Sequence, residues 1–498
     1  MRACAAFAVA AAVMCVAPAL AAPLDPAQVR IVKIAMPDLP DVHLRAIIFS
    51  GSADDPPGRE GLASFTANLM RRGAESPHPE ERNGAPTPKI GSFDVSVGKD
   101  EIIFSGRTAL KDFDAWYAVL RDMILKPEFD RSELERQRAD QKSAIEAVRD
   151  DDESLAREML DLLLYRNHPY GHLDLGRAGS IEAFTREDIL SFHRTHFVKG
   201  NIAIGLAGAV SDPMIERVRR DFADLPDGQP PRPARTPTLL PRRRVLLIEK
   251  EKREEVQIRI GEPITVTRAH ADYFPMLIAG AYLGEPGELP GRLYREIRLA
   301  RGLSESAGAS VDGIAEPPAG ARPGPLDMPR REQAFSMWVH PKSINAKFAI
   351  KLALAELQDL VKNGVPEHGI EETRAFMVRN RTLGVEAPER VLASKLDEIL
   401  DGASEFGDRY VKAMGAVNPE SVASAVRRHL TPDHLGIVAV VSDGAAFIEQ
   451  MVSAETLIEY PPGITRDATR DRDLETVGMG LGLRREDFEI VKAADLFR

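Results

Sequence analysis

The chain carries an internal duplication, which restricts it to folds built from two related halves. Residues 187–208 (EDILSFHRTHFVKGNIAIGLAG) and 420–441 (ESVASAVRRHLTPDHLGIVAVV) align at an offset of 233, pairing Glu187 with Glu420, Ser191 with Ser424, Arg194 with Arg427 and His196 with His429. Each segment has the pattern of a helix followed by an apolar strand. The same offset carries the helix expected at 61–76 onto residues 294–309. We therefore predict two homologous halves.

A proline-rich segment separates these halves. Six prolines lie between residues 226 and 241, and such a segment is extended and cannot pack as a helix or inner strand. The sequence is therefore divided into a signal peptide (1–21), an N-terminal half (22–225), a linker (226–243), a C-terminal half (244–450) and a charged C-terminal tail (451–498).

The N-terminal residues and the composition limit location and chemistry. MRACAAFAVAAAVMCVAPALAAP has one Arg, an apolar run and an A-x-A site at 19–21, which predicts a secretory signal and a periplasmic location. Both cysteines, Cys4 and Cys15, lie within it, so thiolate and disulfide chemistry are excluded from the mature chain. The net charge of −11 gives no footprint for nucleic acid. No later segment reaches the roughly 18 apolar residues of a membrane span.

Strand patterns and helix patterns are grouped along each half. Two β-rich patterns open each half, QVRIVKIAMP and VHLRAIIFSG in the first, VLLIEK and EVQIRIGEP in the second. Long helical patterns follow, including residues 132–165 and 345–364. Strands grouped with helices on one side predict the α+β class. The acidic run 150–153 is interpreted as a solvated helix segment, and the Gly- and Pro-rich stretch 312–330 as a surface loop.

The segment GLASFTANLMRRGAES (61–76) has a helix pattern that carries no usable chemistry. Its apolar stripe is Leu62, Phe65 and Leu69, and Ser64, Ala67 and Asn68 stand on neighbouring faces. These three groups neither hold a metal nor move a proton well. Because all three lie off the stripe, larger residues there are expected to be tolerated.

The quoted segment resembles the opening helix of the insulinase/pitrilysin family of inverted zinc peptidases, which reads Gly-Leu-Ala-His-Phe-x-Glu-His there. The resemblance continues through GSFDVSVGKDEIIFSG, LKPEFDRSELERQR, NHPYGHLDLG, SIEAFTREDILSFHRTHF, VQIRIGEP and GRLYREIRLARGLS. It implies two homologous halves, each a duplicated α+β unit of sheet and helices, which close like a clamshell on a peptide.

The resemblance also implies that the zinc site is lost. The family needs two His and a distal Glu on zinc, and another Glu as general base. By position, Ser64 and Asn68 replace the two His and Ala67 replaces the base. The distal Glu-Glu-Ile run reads Ser143, Ala144 and Ile145, with Glu146 adjacent. No catalytic residue, metal site or cofactor is therefore expected in this chain, and zinc is expected only in a partner.

The resemblance also implies substrate contacts, and the oxyanion contact is altered here because an ionised Glu305 cannot stabilise an oxyanion. An Arg and, seven residues later, a Tyr steady the oxyanion in the family, and here they correspond to Arg298 and Glu305. The alternative is a local ion pair of Arg298 with Glu296 or Glu305. In the first half, the alternation of Asp94, Val95, Ser96 and Val97 suits a strand edge that adds an extended peptide.

Four histidines are possible metal ligands by spacing. His168 and His172 have i, i+4 spacing, but Pro169 and Gly171 favour a turn. His193 and His196 stand at i, i+3 on a helix without an acidic partner on the same face, so packing roles are favoured.

These observations support three functions. The first is a non-catalytic, substrate-holding or regulatory subunit of a periplasmic zinc metallopeptidase, paired with a zinc-bearing homologue to process peptides. The second is a stand-alone peptide-binding or scaffold protein. The third, an active hydrolase, lacks any nucleophile or base that the sequence identifies.

Overall fold

The fold is described from a computed structural model. The described residues are 25–75, 91–231, 236–284, 291–311, 331–384, 387–401, 406–464 and 467–498. The signal peptide expected at 1–21 and the loop expected at 312–330 lie outside them.

The first half is one mixed sheet with helices. Its strands are β1 (Arg30–Ala35), β2 (Asp41–Ile48), β3 (Ser92–Val97), β4 (Ile102–Ala109) and β5 (Ile202–Gly208). Its helices are α1 (Leu62–Glu75), α2 (Phe113–Leu125), α3 (Arg131–Asp150), α4 (Asp152–Leu164), α5 (Ala178–Glu182), α6 (Arg186–His196) and α7 (Asp212–Phe222). The strand order is β1-β5-β2-β4-β3. Only the β1–β5 pairing is parallel among these five strands.

The second half repeats this plan. Its strands are β6 (Arg244–Glu249), β7 (Gln257–Ile264), β8 (Ser304–Ser310), β9 (Gln333–Pro341), β10 (Gly436–Val441) and β11 (Phe488–Lys492). Its helices are α8 (Tyr273–Gly284), α9 (Ala346–Asn363), α10 (Glu367–Gly384), α11 (Pro388–Asp401), α12 (Phe406–Ala416), α13 (Pro419–His429), α14 (Gly444–Val452) and α15 (Arg470–Gly478), with a π-helical turn at Tyr294–Leu299. The strand order β11-β6-β10-β7-β9-β8 matches the first sheet, with β11 added at one edge.

The two-halved α+β fold predicted from the sequence is confirmed, but one repeat assignment is wrong. By element order, the counterpart of α1 is α8, whereas residues 294–309 form the π-helical turn and most of β8. The offset is 212 between the starts of β3 and β8 (304 − 92) and 231 between those of β4 and β9 (333 − 102). The connection between β8 and β9 is therefore longer than its counterpart by about 20 residues. For this reason the offset of 233 does not align the elements that precede this connection.

One helix of each half packs on the sheet of the other half. Helix α4 packs on β7 and β10 of the second sheet, while α11 packs on β1, β2 and β5 of the first. Glycines in the strands make room for the leucines of these helices. A Cβ on Gly205 would lie 2.4 Å from Leu392 Cδ1, and one on Gly261 would lie 3.1 Å from Leu160 Cδ2. The exchange buries apolar faces that neither half covers alone.

The acidic run 150–153 lies at this exchange and is not simply a solvated helix segment. The expected long helix breaks at Asp151, whose carboxylate caps α4 by accepting a hydrogen bond from Ser154 N at 2.7 Å. Asp152 pairs with Lys250 Nζ at 2.5 Å, and Glu153 pairs with Arg259 Nη2 at 2.9 Å. These acidic side chains therefore orient α4 on the second half.

The C-terminal tail joins the second half. Strand β11 pairs in parallel with β6, and α15 packs against α9. Across the described helices, none is both long enough and apolar enough to cross a membrane.

Candidate functional site

Helix α1 begins at a tightly fixed turn. The Asp55 carboxylate accepts hydrogen bonds from the backbone N–H groups of Gly61 (2.6 Å) and Ala63 (2.7 Å), which caps the helix. Gly61 has φ +93°, and a Cβ there would lie 2.4 Å from Leu175 O. Only glycine suits this position. The start of α1 is thus held against the segment that contains Leu175.

Ser64 and Asn68 use their polar atoms inside the chain. Ser64 is 2 % exposed and its hydroxyl donates to Asp174 O at 2.7 Å. The Asn68 amide donates to Ser64 O at 2.9 Å, one turn back along α1. Each neutral side chain is therefore satisfied by a backbone carbonyl, as buried polar groups need to be.

Ala67 is part of the hydrophobic core. It is 0 % exposed and belongs to the cluster that contains Leu62, Phe65 and Leu69. The expectation that larger residues would be tolerated at all three positions is therefore wrong for Ala67 and for buried Ser64. The apolar stripe is wider than the spacing indicated, because α1 packs against α2, α3, α6 and β3 and so has little free surface.

Helix α3 contacts α1 through the ion pair of Asp140 with Arg72, and it contacts the start of α1 through the amide of Gln141. Gln141 Nε2 donates to Gly61 O (3.0 Å) and Leu175 O (2.8 Å). Ser143 and Glu146 are exposed, and Ala144 is half-buried. No described contact supports the alternative that Glu146 takes the place of the family's distal zinc ligand. The serine, alanine and asparagine positions of α1 with Ser143 and Ala144 do not form a zinc donor set, so no chemical step is assigned to zinc here.

An ion pair between buried Lys99 and half-buried Asp174 lies next to α1. Lys99 Nζ is 2.7 Å from Asp174 Oδ1 and donates to His172 O at 2.5 Å. Ser52 Oγ also donates to Asp174 Oδ1, at 2.6 Å. Because the Asp174 carbonyl accepts the Ser64 bond, one residue connects the turn before β4 to α1. Sequence reasoning missed this ion pair, since its partners lie 75 positions apart (174 − 99).

Strand β3 is an edge strand, as the proposed peptide site requires. Its described pairing is with β4 alone, with Asp94 opposite Ser105 and Val95 opposite Phe104. Asp94 is exposed, whereas Val95, Ser96 and Val97 are half-buried. Strand β3 packs against α1, so this edge strand lies beside the helix that carries Ser64 and Asn68. The role of these four residues in binding peptide stays a prediction.

Arg298 bonds to backbone rather than to a carboxylate. Its Nη1 donates to Glu305 O, and its guanidinium lies 5.5 Å from the centre of the Tyr294 ring. Glu296 pairs with Arg301 Nη1 at 2.8 Å instead. Among the described contacts, the alternative ion pair with Glu296 or Glu305 is therefore not formed, and the Arg298 guanidinium lies beside the π-helical turn. Both described contacts lie within the second half.

The four histidines that the sequence analysis considered as metal ligands contact nearby backbone and side-chain atoms instead. His168 Nδ1 accepts from Tyr170 N (3.2 Å), and His172 Nδ1 lies 3.0 Å from Leu173 O, within a turn. His193 Nε2 is 3.0 Å from Ile124 O, and His196 Nδ1 is 2.9 Å from Ser50 Oγ. Burial lowers the pKa of His193.

Two family models match the chain. Residues 30–175 match "Insulinase (Peptidase family M16)", and residues 183–377 match "Peptidase M16 inactive domain". Together the two matches cover more than half of the chain. The chain belongs to the insulinase family, peptidase family M16. The resemblance of the opening helix is thus confirmed at the level of the family.

Relatives of this M16 chain include bacterial proteins named as zinc proteases. It is 21 % identical over 410 residues to the uncharacterized zinc protease YmxG of Bacillus subtilis, covering 82 % of this chain and 94 % of the relative. An uncharacterized zinc protease of Streptomyces coelicolor is 22 % identical over 412 residues, covering 81 % and 85 %.

Solved structures support the fold of this M16 chain. A peptidase M16 inactive domain from Pseudomonas fluorescens superposes with a TM-score of 0.72 at 20 % identity, covering 84 % of this chain and 96 % of that one. A protease from Helicobacter pylori gives 0.70 at 15 % identity, covering 82 % and 96 %. At these identities the likeness shows the fold alone.

Proposed function

We propose that this M16 chain is a non-catalytic, substrate-holding or regulatory subunit of a periplasmic zinc metallopeptidase, and that it pairs with a zinc-bearing homologue to process peptides. The observation that carries the proposal is how the side chains at positions 64, 67 and 68 of α1 are used. Ser64 and Asn68 bond to backbone carbonyls, Ala67 is in the core, and α3 supplies glutamine amides. This arrangement keeps the helix and its packing while it lacks the zinc ligands and the base.

Two features would let such a subunit hold a peptide. The edge of β3 offers main-chain hydrogen bonds to an extended segment, which depend little on the peptide's side chains. Arg298 offers a charge-assisted hydrogen bond to a peptide carbonyl or carboxylate once it leaves Glu305 O. Zinc is needed for neither interaction, so both survive the loss of the metal.

The test mixes the mature chain with the zinc-bearing homologue from the same organism and follows cleavage of a fluorogenic peptide. We expect each chain alone to be slow, the mixture to be at least about tenfold faster, and the two chains to co-elute. Arg298→Ala should reduce the rate of the mixture by about tenfold, the cost of one charged hydrogen bond. The matched control Arg194→Ala removes a surface ion pair with Glu187 and should change nothing.

A stand-alone peptide binder is the second candidate, favoured by the position of β3 at the edge of its sheet among the described strands. It takes the place of the first if the homologue is fully active alone and neither binds nor responds to this chain. In that case the chain should still bind an extended peptide, and N-methylation of alternate peptide amides should weaken the affinity by at least tenfold. Equal binding of both peptides would exclude strand addition.

A further inference from the structure

Two histidines and an aspartate come together in the second half, far in sequence from the α1 positions. His270 lies in the turn before α8, Asp272 directly precedes that helix, and His429 is the last residue of α13. The turn is fixed by hydrogen bonds from His270 N to Thr267 O (2.9 Å) and from Met276 N to Asp272 O (2.9 Å). Because α8 and α13 pack together, the three side chains are held on a firm scaffold.

The possible ligand atoms of the three side chains lie close together. His429 Nε2 is 2.7 Å from Asp272 Oδ2, and His270 Nδ1 is 3.9 Å from the same oxygen. One ligand atom from each residue lies within 4.8 Å of the other two. Ligands of one zinc ion stand about 3.3 Å apart, given bonds of about 2.0–2.1 Å, so small side-chain rotations suffice. Within the described ranges, no other group of this kind meets the same criterion.

The chemistry of the set suits a divalent transition metal. We infer that His270, Asp272 and His429 form a binding site for a divalent transition-metal ion, with zinc as the best match to two imidazoles and one carboxylate. The exposed fractions of these side chains are 27 %, 14 % and 8 %. Three protein ligands leave a fourth position to water. Such a site would fasten the start of α8 to the end of α13.

The guanidinium of Arg428 contacts the Asp272 carboxylate at the position that a metal ion would occupy. Arg428 Nη1 donates to Asp272 Oδ2, while Arg428 Nη2 donates to Ser424 Oγ at 2.9 Å. The Arg428 side chain is 53 % exposed, so it can turn to Ser424 and solvent when an ion binds. Asp272 also donates its backbone N–H to His270 Nδ1 at 3.0 Å, and metal binding replaces this bond.

The test titrates zinc into the metal-stripped mature chain by calorimetry and repeats the measurement with variants. We expect one zinc per chain with micromolar or tighter affinity. His429→Ala and Asp272→Asn should each weaken the affinity at least tenfold. Arg428→Gln should strengthen it about tenfold, because it removes the competing cation. With Co²⁺ as probe, the wild type should give the visible absorption of a site with nitrogen ligands, which His429→Ala loses.

Two controls separate this site from others. His368→Ala removes an exposed histidine of α10, and Asn68→Ala alters the α1 position; both should bind zinc as the wild type does. The inference is wrong if neither the wild type nor Arg428→Gln binds zinc, or if folded His429→Ala keeps wild-type affinity. If His429→Ala does not fold, Arg428→Gln decides, since unchanged affinity in that exposed variant also contradicts the site.

Discussion

Ala67 shows how one side chain can fix both packing and chemistry. The resemblance to the family aligns Ala67 with the general base of active members, and its methyl group lies in the core with Phe65 and Leu69. The neighbours of α1 have closed around this small group. A larger side chain at position 67 would therefore displace the elements that pack on α1.

The first prediction follows from this packing. Ala67→Glu should lower the free energy of unfolding by more than about 3 kcal/mol, because it places a carboxylate without a partner in the core. Asn68→His should cost no more than about 1.5 kcal/mol, since Asn68 is only half-buried and loses one hydrogen bond. Urea unfolding of both variants measures the difference. Equal stabilities would mean that Ala67 faces open space.

A second residue-scale prediction concerns Glu262 on β7. This side chain is 0 % exposed; Oε1 accepts from Thr431 N at 2.7 Å, while buried Oε2 has no hydrogen-bond partner among the residues that the structure describes. Burial raises its pKa from 4.5 to about 7. Between these values the folded protein binds more protons than the unfolded chain, so the Glu262 contribution to stability is complete below pH 4.5 and is lost as the pH rises through 7.

Glu262→Gln should remove this pH dependence. The amide oxygen keeps the bond from Thr431 N, so the variant should be more stable than the wild type by about 1–3 kcal/mol at pH 8 and equal to it at pH 4. Thermal or urea unfolding across that range measures this. The exposed control Glu216→Gln should follow the wild-type curve. A variant that is less stable at pH 8 would show that Glu262 is ionised and stabilised in the folded protein.

At the scale of elements, the exchanged helices α4 and α11 are the main feature that sequence periodicity does not specify. Both helices have an apolar face, and periodicity predicts that each face is buried. It does not indicate which sheet buries the face. The break at Asp151 sends α4 across to the second sheet, where Lys250 and Arg253 bind Asp152.

The third prediction tests the seat of α11. Leu396 is 0 % exposed and packs in a cluster with Phe49 and Ile103 of the first half. Leu396→Ala should cost about 2–5 kcal/mol through lost burial and the remaining cavity. Val411→Ala, at a 56 % exposed position of α12, should change stability by less than about 0.5 kcal/mol. Equal losses of stability for the two variants in chemical denaturation would mean that α11 does not pack on the first sheet.

At the scale of the whole molecule, the exchange makes the two halves interdependent. The linker is one covalent connection, whereas α4 and α11 each bury an apolar face in the opposite half. Ion pairs such as Glu153 with Arg259 add direction to the contact. Clamshell opening of the kind implied by the family would therefore have to preserve both helix contacts.

The fourth prediction follows from this interdependence. A specific protease site placed at 232–235, between described parts of the linker, should yield two fragments after cleavage. The fragments should co-elute as one species in native buffer and separate only in denaturant, since the buried faces remain in contact. The uncut protein is the control. Separate elution in native buffer would show that the linker itself holds the halves together.

The sequence by itself determined the two halves, the α+β class and the helix at α1, because these depend on residue type and on hydrophobic spacing along the chain. Only the tertiary structure decided which sheet receives α4 and α11, that Ala67 is buried, and that Arg298 bonds to Glu305 O while Arg301 takes Glu296. It also brought His429 to Asp272, 157 positions away. His196, which aligns with His429 in the internal repeat, contacts Ser50 instead. Spacing along the chain fixes the faces of a helix, whereas burial and pairing depend on which surfaces meet in three dimensions.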